Sequence, residues 1–301
     1  MGIDNNATMA RAIVRPAINV NDGTDYSKYS TGKYETEVLR RDTVELSDRS
    51  LHNVASCVGL QGTGDAFSTP FTYRFLEKYV PSLLRSITNV HVKGLNNVPR
   101  NGAAIFAGNH LGNLDPFIKI LCAQRPIHFL AKEGHFQKQP NRFVMISTGQ
   151  IETFRETGGG EALARAVDVL ESGGCLGVFP EGTRSRRVEA PFLQNGKTGV
   201  ARLAARFPSI PIVPLTMSVG ARNFMPPGTM IPILWKRIDV IVDRPISFGE
   251  WLASDYGGGL DDEGVNALIR MDENSRGEFM RSLYRKFTDQ LIETLRFRGA
   301  P

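Results

Sequence analysis

Between residues 103 and 296 of this chain, short apolar runs alternate with stretches whose apolar residues have helical spacing. Four apolar runs bounded by turn residues predict buried strands at residues 103–108, 175–180, 211–217 and 238–243. Apolar residues at helical spacing predict helices at residues 117–123, 161–171, 199–206 and 279–296. Such alternation is typical of an α/β fold, in which helices flank a mostly parallel central sheet.

The N-terminal part of the chain has a different pattern. Residues 1–69 are polar and only weakly periodic, which predicts an irregular or partly helical extension before a single domain at residues 70–301. The stretch 71–87 has the spacing of an amphipathic helix, which we expect Pro81 to kink or divide. Its apolar face suits either a membrane interface or packing on the domain. The Gly- and Asp-rich residues 255–264 predict a surface loop before the last helix.

Composition narrows the class of protein. Hydrophobic residues make up 41% and charged residues 22% of the 301 residues, which excludes a wholly disordered chain. The formal net charge of +5 suits phosphates, phospholipid headgroups or nucleic acid alike. The 3 cysteines lack CxxC spacing, which indicates neither a disulfide framework nor a zinc site and favours a reducing, cytoplasmic setting. No run approaches the roughly 20 apolar residues of a membrane-spanning helix, so we expect no transmembrane span.

Candidate chemistry follows the first buried run, where the sequence reads NHLGNLDP from Asn109 to Pro116. His110 and Asp115 flank a predicted strand-to-helix turn, which can bring the carboxylate to one imidazole nitrogen and leave the other free to accept a proton. The alternative is purely structural, because an aspartate before a proline is also the pattern of an N-cap at a helix start.

A second group of polar residues, FPEGTRS at residues 179–185, follows the next buried run. Gly182 permits close approach of backbone to a ligand, and the planar guanidinium of Arg184 suits a phosphate. Glu181 has the chemistry to orient a hydroxyl or an arginine. An ordinary surface turn is the alternative for this segment as well.

These two segments, in this order and about seventy residues apart, resemble the motifs of the PlsC-like glycerolipid acyltransferase family, which includes the lysophosphatidic acid acyltransferases. Weaker blocks resemble the family in order and spacing: VKGLNNVP at residues 92–99, GQIETFR at 149–155, GKTGVARLA at 196–204 and IVPLTM at 212–217. The resemblance falls within residues 90–245.

The resemblance implies an enzyme of phospholipid biosynthesis that moves a fatty acyl group from acyl-CoA or acyl-ACP to the hydroxyl of a lysophosphatidic acid-type acceptor. His110 would be the general base and Asp115 its orienting partner. The acceptor phosphate would be held by Arg155, Glu181, Gly182 and Arg184. The family's chemistry needs neither a metal nor a cofactor beyond the acyl carrier, and it implies no nucleic-acid partner. The chain would act peripherally on the cytoplasmic side of a membrane.

Other functions fit the same residues. The acceptor could instead be glycerol 3-phosphate, another lysophospholipid or a glycolipid. A non-catalytic lipid-binding protein would use the basic face and the 71–87 helix, although it would not need His110, Asp115 and Glu181 together. A thioester hydrolase would use water in place of the lipid hydroxyl, but it would have little use for Arg155 and Arg184.

Overall fold

The computed structural model describes residues 38–40, 45–153, 160–218, 220–224, 226 and 232–301. Within this part of the chain, 8 strands form one sheet. In chain order they are β1 (Val90–Lys93), β2 (Ala104–Ala107), β3 (Ile127–Lys132), β4 (Ile151–Thr153), β5 (Cys175–Val178), β6 (Pro211–Met217), β7 (Ile238–Val242) and β8 (Ile246–Ser247).

Helices cover the sheet and connect its strands. In chain order they are α1 (Asp48–Ser56), α2 (Phe71–Ile87), α3 (Asp115–Ala123), α4 (Gly134–Gln137), α5 (Asn141–Ser147), α6 (Gly160–Glu171), α7 (Gly199–Arg206), α8 (Gly220–Phe224), α9 (Phe248–Ala253), α10 (Asp262–Arg270) and α11 (Glu273–Phe297). A 3₁₀ turn at Leu95–Asn97 precedes β2.

The order of strands across the sheet is β1-β7-β6-β2-β5-β3-β4, and β8 pairs with β6. All pairings are parallel except those of β6 with β7 and with β8. The mostly parallel α/β fold predicted from the sequence is therefore confirmed. Strands β2 and β5 lie next to each other at the centre and are buried along their whole length, which explains why both read as continuous apolar runs.

Successive residues of β2 point to opposite faces of the sheet and into two separate apolar clusters. Ile105 and Ala107 lie in the larger cluster, with side chains from α1, α6, α7 and α9–α11. Ala104 and Phe106 lie in the second, with side chains from α3 and β7. Both faces of β2 are covered, so polar side chains next to this central strand lie where the strand ends.

Some predictions about single elements are wrong. Helix α2 continues through Pro81 from Phe71 to Ile87, so the proline does not divide it, and the expected kink stays a prediction. The predicted loop at residues 255–264 ends early, because Asp261 accepts a hydrogen bond from the Gly264 N–H and thereby begins α10. Asp115 does not cap the N–H groups of α3, which begins at that residue without a side-chain cap.

The N-terminal region includes part of the main core. Residues 1–37 and 41–44 lie outside the described residues, but Val54 of α1 is fully buried in the larger cluster together with Leu60. The division at residues 69 and 70 stays a prediction, although α1 precedes it and packs into the same core. Within the described ranges, no helix is long and apolar enough to cross a membrane.

Candidate active site

The two polar segments meet because their strands are neighbours. Ala107 of β2 pairs with Val178 of β5, and the Gly108 N–H donates to the Val178 carbonyl at 3.1 Å. Parallel strands place their carboxyl ends at one edge of the sheet, where active sites of such folds gather. Asn109 then fixes the end of β2, since its amide exchanges two hydrogen bonds of 2.8 Å with the backbone of Met217 in β6.

His110 and Asp115 form a hydrogen-bonded pair across the turn after β2. The distance from His110 Nδ1 to Asp115 Oδ2 is 2.9 Å, and the two side chains are 17% and 2% exposed. The same carboxylate oxygen accepts from the N–H groups of Leu111 at 2.5 Å and Gly112 at 2.8 Å. Asp115 therefore holds both the turn and the imidazole, which explains its burial without a helix-capping role.

The ring of His110 is oriented by this pair and by an aromatic stack. Nδ1 donates to the carboxylate, which leaves Nε2 as the proton acceptor of the neutral ring. No described protein group bonds to Nε2. The ring lies on Phe179, with centroids 3.9 Å apart and planes 13° apart. The geometry suits Nε2 for removing a proton from a hydroxyl of a bound molecule.

Burial lowers the pKa of His110 below its ordinary value of 6.5. The hydrogen bond and the negative charge of Asp115 oppose this shift, whereas the positive charges of Lys119 and Arg184 add to it. The imidazole is therefore held neutral at physiological pH, which is the protonation state that a general base needs.

Glu181 joins the two polar segments. Its Oε1 accepts from the His110 N–H at 2.7 Å, and its Oε2 accepts from the Gln194 N–H at 3.0 Å. The side chain is buried, and burial raises its pKa to about 7 against the opposing effect of these N–H groups. Both carboxylate oxygens are thus engaged by backbone, so the structure gives Glu181 a part in holding His110 in place.

Gly182 makes the turn after β5 possible. Its φ of +69° lies in the left-handed region that side chains disfavour, and a Cβ there would come within 2.8 Å of the Lys197 side chain. The Lys197 N–H closes the same turn by donating to the Pro180 carbonyl at 2.7 Å. The positive φ therefore favours glycine at position 182, whereas the flexible end of the Lys197 side chain can move away from an added Cβ.

Arg184 is exposed, and its positive charge acts on His110. The next residue is tied to the dyad, since the Ser185 N–H donates to the His110 carbonyl at 3.1 Å. Arg155 lies outside the described residues. The structure therefore brings together His110, Asp115, Glu181, Gly182 and Arg184 of the residues predicted from the sequence.

Two side chains beside the dyad were missed by the sequence analysis. Phe179 follows β5 and forms the floor under His110. Lys119 is fully buried one turn after Asp115 in α3. A single lysine within the apolar segment FIKILC was the available signal for Lys119. In the described ranges, no group of three or more histidine, cysteine or acidic side chains is arranged to hold a metal ion.

Comparison with known proteins shows similarity to acyltransferases. A family model described as Acyltransferase matches residues 89–218, a range that includes both polar segments of the site. A 1-acyl-sn-glycerol-3-phosphate acyltransferase of Borreliella burgdorferi is 32% identical over 112 residues, which cover 36% of this chain and 45% of the relative.

Other relatives are more distant but align over longer stretches. The 1-acyl-sn-glycerol-3-phosphate acyltransferase LPAT1, chloroplastic, of Arabidopsis thaliana is 26% identical over 185 residues, which cover 59% of this chain and 50% of that protein. The chain thus spans about half the length of the first curated relatives it matches. The crystal structure of PlsC from Thermotoga maritima aligns with a TM-score of 0.47 and 19% identity, over 71% of this chain and 80% of that chain.

Proposed function

This chain belongs to the Acyltransferase family through residues 89–218, and on that premise we propose that it transfers a fatty acyl group from a thioester to the hydroxyl of a lysophosphatidic acid-type acceptor. The observation that carries the proposal is the 2.9 Å pair of His110 Nδ1 and Asp115 Oδ2, which leaves Nε2 as the proton acceptor of the neutral ring. The positive charge of Arg184 acts on the same ring. The curated relatives are described as 1-acyl-sn-glycerol-3-phosphate acyltransferases, which favours this acceptor class.

The chemistry needs only a base and well-placed substrates. His110 Nε2 takes the proton of the acceptor hydroxyl while the hydroxyl oxygen attacks the thioester carbonyl. The imidazolium that forms is stabilised by the buried carboxylate of Asp115. Collapse of the tetrahedral intermediate breaks the carbon–sulfur bond, and the proton on Nε2 passes to the leaving thiolate. An ester and a free thiol result, and His110 returns to its neutral form.

The acceptor phosphate has a suitable binding group in Arg184. This residue is exposed and its charge acts on His110, and arginine binds phosphate oxygens through paired N–H groups. We expect Arg155 to contribute in the same way, as the family resemblance implies. Glu181 and Gly182 support this site indirectly, because one holds the His110 backbone and the other forms the turn that carries Arg184.

Release of free thiol from palmitoyl-CoA by the purified protein tests the proposal. Release should require lysophosphatidic acid, produce phosphatidic acid in equal amount and disappear in His110→Ala. Acyl-ACP offered under the same conditions identifies the preferred donor. Thiol release without an acceptor would indicate a hydrolase, and normal transfer by folded His110→Ala would contradict the mechanism.

A membrane surface is the partner that the exposed apolar side chains of α2 fit best. Phe71 is 81% and Leu83 62% exposed, whereas Tyr73 on the buried side exchanges two 2.9 Å hydrogen bonds with the backbone of Ile127. The apolar face is thus presented outwards by a helix that is fixed to β3. Exposed contiguous apolar patches of this kind mark interaction sites.

Helix α5 extends this face. Its Phe143 and Ile146 are 66% and 55% exposed, and its last residue is bonded to α2, since the Thr72 hydroxyl donates to the Ser147 carbonyl at 2.5 Å. Exposed Arg74 supplies positive charge on α2 beside the apolar residues. We therefore expect both helices to lie in the interface of a bilayer that contains anionic lipid.

Sedimentation with phosphatidylcholine vesicles, with and without phosphatidylglycerol, measures this binding. Replacing Phe71 and Phe143 by Ser should weaken binding at least about tenfold, because each buried aromatic ring contributes about 1.5–3 kcal/mol. Val188→Ser is the matched control, since Val188 is 89% exposed but lies on neither helix. Equal binding by the double variant and the control would contradict the proposal.

A further inference from the structure

Lys119 is fully buried beneath the candidate active site. It lies one turn after Asp115 in α3, and its Nζ donates to the Leu215 carbonyl of β6 at 3.1 Å. The fold makes a specific space for it: a Cβ on Gly108 would come within 2.3 Å of Lys119 Nζ and within 2.1 Å of the Leu215 carbonyl oxygen. Glycine at position 108 therefore admits the ammonium to this place.

The burial of this ammonium is costly and calls for a physical reason. A lysine ammonium has three N–H donors, and buried charges are ordinarily paired. Among the described residues, the Leu215 carbonyl accepts the hydrogen bond from Nζ. Desolvation lowers the pKa of Lys119 to about 8, opposed by the negative charges of Asp115 and Glu181 and by the Cys122 thiol. The group is therefore mostly protonated at neutral pH, despite the lost hydration.

The charge lies close to the dyad. Lys119 Nζ is 5.3 Å from the centroid of the Phe179 ring, and that ring stacks on His110. The charged groups that act on His110 are Asp115 and Lys119 from α3 and Arg184 from the segment after β5. Glu181 of the same segment accepts a hydrogen bond from the His110 N–H. Asp115 alone would favour the imidazolium, because an opposite charge within hydrogen-bonding distance stabilises the charged ring.

We propose that Lys119 is a positioning residue whose buried positive charge offsets Asp115 and thereby adds to the effect of burial in keeping His110 neutral and able to accept a proton. This inference rests on the proposed acyl transfer for its functional meaning, but the effect on His110 is a property of the protein alone. Lys119 touches no substrate in this proposal. It acts through the field that it creates at the imidazole, across the ring of Phe179.

Two substitutions separate the charge of Lys119 from its hydrogen bond. Lys119→Gln removes the charge but keeps a donor for the Leu215 carbonyl, and Lys119→Met removes both at similar volume. Lys93→Met is the matched control, since it removes an equal charge from an exposed residue. Lys93 ends β1, which is antiparallel to β2, so it lies at the edge of the sheet opposite to His110. The readouts are the NMR titration of His110, assigned with His110→Ala, and the pH dependence of transfer.

In both Lys119 variants, we expect the midpoint of the His110 titration to rise by about one pH unit and the acidic limb of the rate profile to move with it. At about pH 6 the rate should fall by up to about tenfold, whereas above about pH 8 the variants should approach the wild-type rate, because His110 is then neutral in all of them. Lys93→Met should leave both profiles unchanged.

An unchanged His110 midpoint in the Lys119 variants, with rates reduced equally at every pH, would overturn the proposal and leave a packing role. If both variants fail to fold, the wild-type protein provides the test. Its His110 resonances should show a second step at the pH where the Lys119 side chain itself titrates. Absence of that step would count equally against the proposal. The NMR readout needs no turnover, so it remains decisive even for a protein that transfers no acyl group.

Discussion

The imidazole of His110 lies almost parallel to the ring of Phe179, with 3.9 Å between centroids and 13° between planes. Phe179 in turn stacks on Phe129 at 5.3 Å. A Cβ on Gly177 would come within 2.3 Å of the Phe129 ring, so this glycine leaves space for the lower ring. His110 is therefore fixed by a hydrogen bond at its edge and by the core of the domain at its face.

Replacing Phe179 by Leu should lower the turnover number about tenfold while reducing the free energy of unfolding by about 1 kcal/mol, because the flat support under the imidazole is lost. Steady-state kinetics and urea unfolding measure the two effects. Phe129→Leu is the control, since Phe129 contacts Phe179 without supporting His110. An equal loss of turnover in the control would assign the effect to general core packing.

Asp115→Asn should reduce turnover by about 10²–10⁴-fold with the fold retained. The amide oxygen can still accept from the N–H groups of Leu111 and Gly112, but the variant lacks the charge that stabilises the imidazolium. Asp115→Ala should additionally lose about 1–3 kcal/mol of stability, because these buried N–H groups then have no acceptor. Circular dichroism and thermal unfolding of both variants check the distinction. Unimpaired turnover in Asp115→Asn would exclude an electrostatic role.

As the pH falls, the rate of transfer should decline with a midpoint below 6.5, the ordinary pKa of histidine. The sign follows from burial, which lowers the pKa of His110, and from the loss of the base when the ring is protonated. Initial rates at saturating substrate over the stable pH range measure the midpoint. A midpoint above the ordinary value would show that Asp115 dominates over burial.

Glu181→Gln should lower the free energy of unfolding by about 1–3 kcal/mol and also slow turnover. Glutamine offers one acceptor oxygen where glutamate bonds to the N–H groups of both His110 and Gln194, so one buried N–H loses its partner. The Michaelis constant for the acceptor should change little. A large rise in that constant with normal stability would instead favour direct contact between Glu181 and the acceptor.

Arg184→Ala should raise the Michaelis constant for lysophosphatidic acid about tenfold or more, because a charge-assisted hydrogen bond to phosphate contributes about 1.5–3 kcal/mol. The constant for the acyl donor should stay nearly unchanged. Arg186→Ala is the matched control, as Arg186 is also exposed two residues further along the chain. Equal weakening towards a neutral monoacylglycerol acceptor would argue against a phosphate role for Arg184.

Features that depend on local pattern could be predicted from the sequence. Apolar runs marked strands β2, β5 and β6, because a strand buried on both faces needs a nearly continuous apolar sequence. Strand β7 was marked by apolar residues that alternate between buried and half-buried positions. The short turn after β2 placed His110 and Asp115 within bonding distance. Helix α10 was missed because its start depends on the capping oxygen of Asp261, in a segment whose glycines and aspartates favour a loop.

The residues that complete the site from distant parts of the chain could not be predicted, because the order of strands in the sheet brings them together. The strand order β6-β2-β5 brings Glu181 to the His110 N–H and the Leu215 carbonyl to Lys119. These pairs are 71 and 96 residues apart in the chain, so no local periodicity encodes them. Burial then sets their chemistry, because the same lysine and glutamate in solvent would have ordinary pKa values. The reacting pair could thus be identified from the sequence of one turn, whereas the charges and the burial around it depend on the whole sheet.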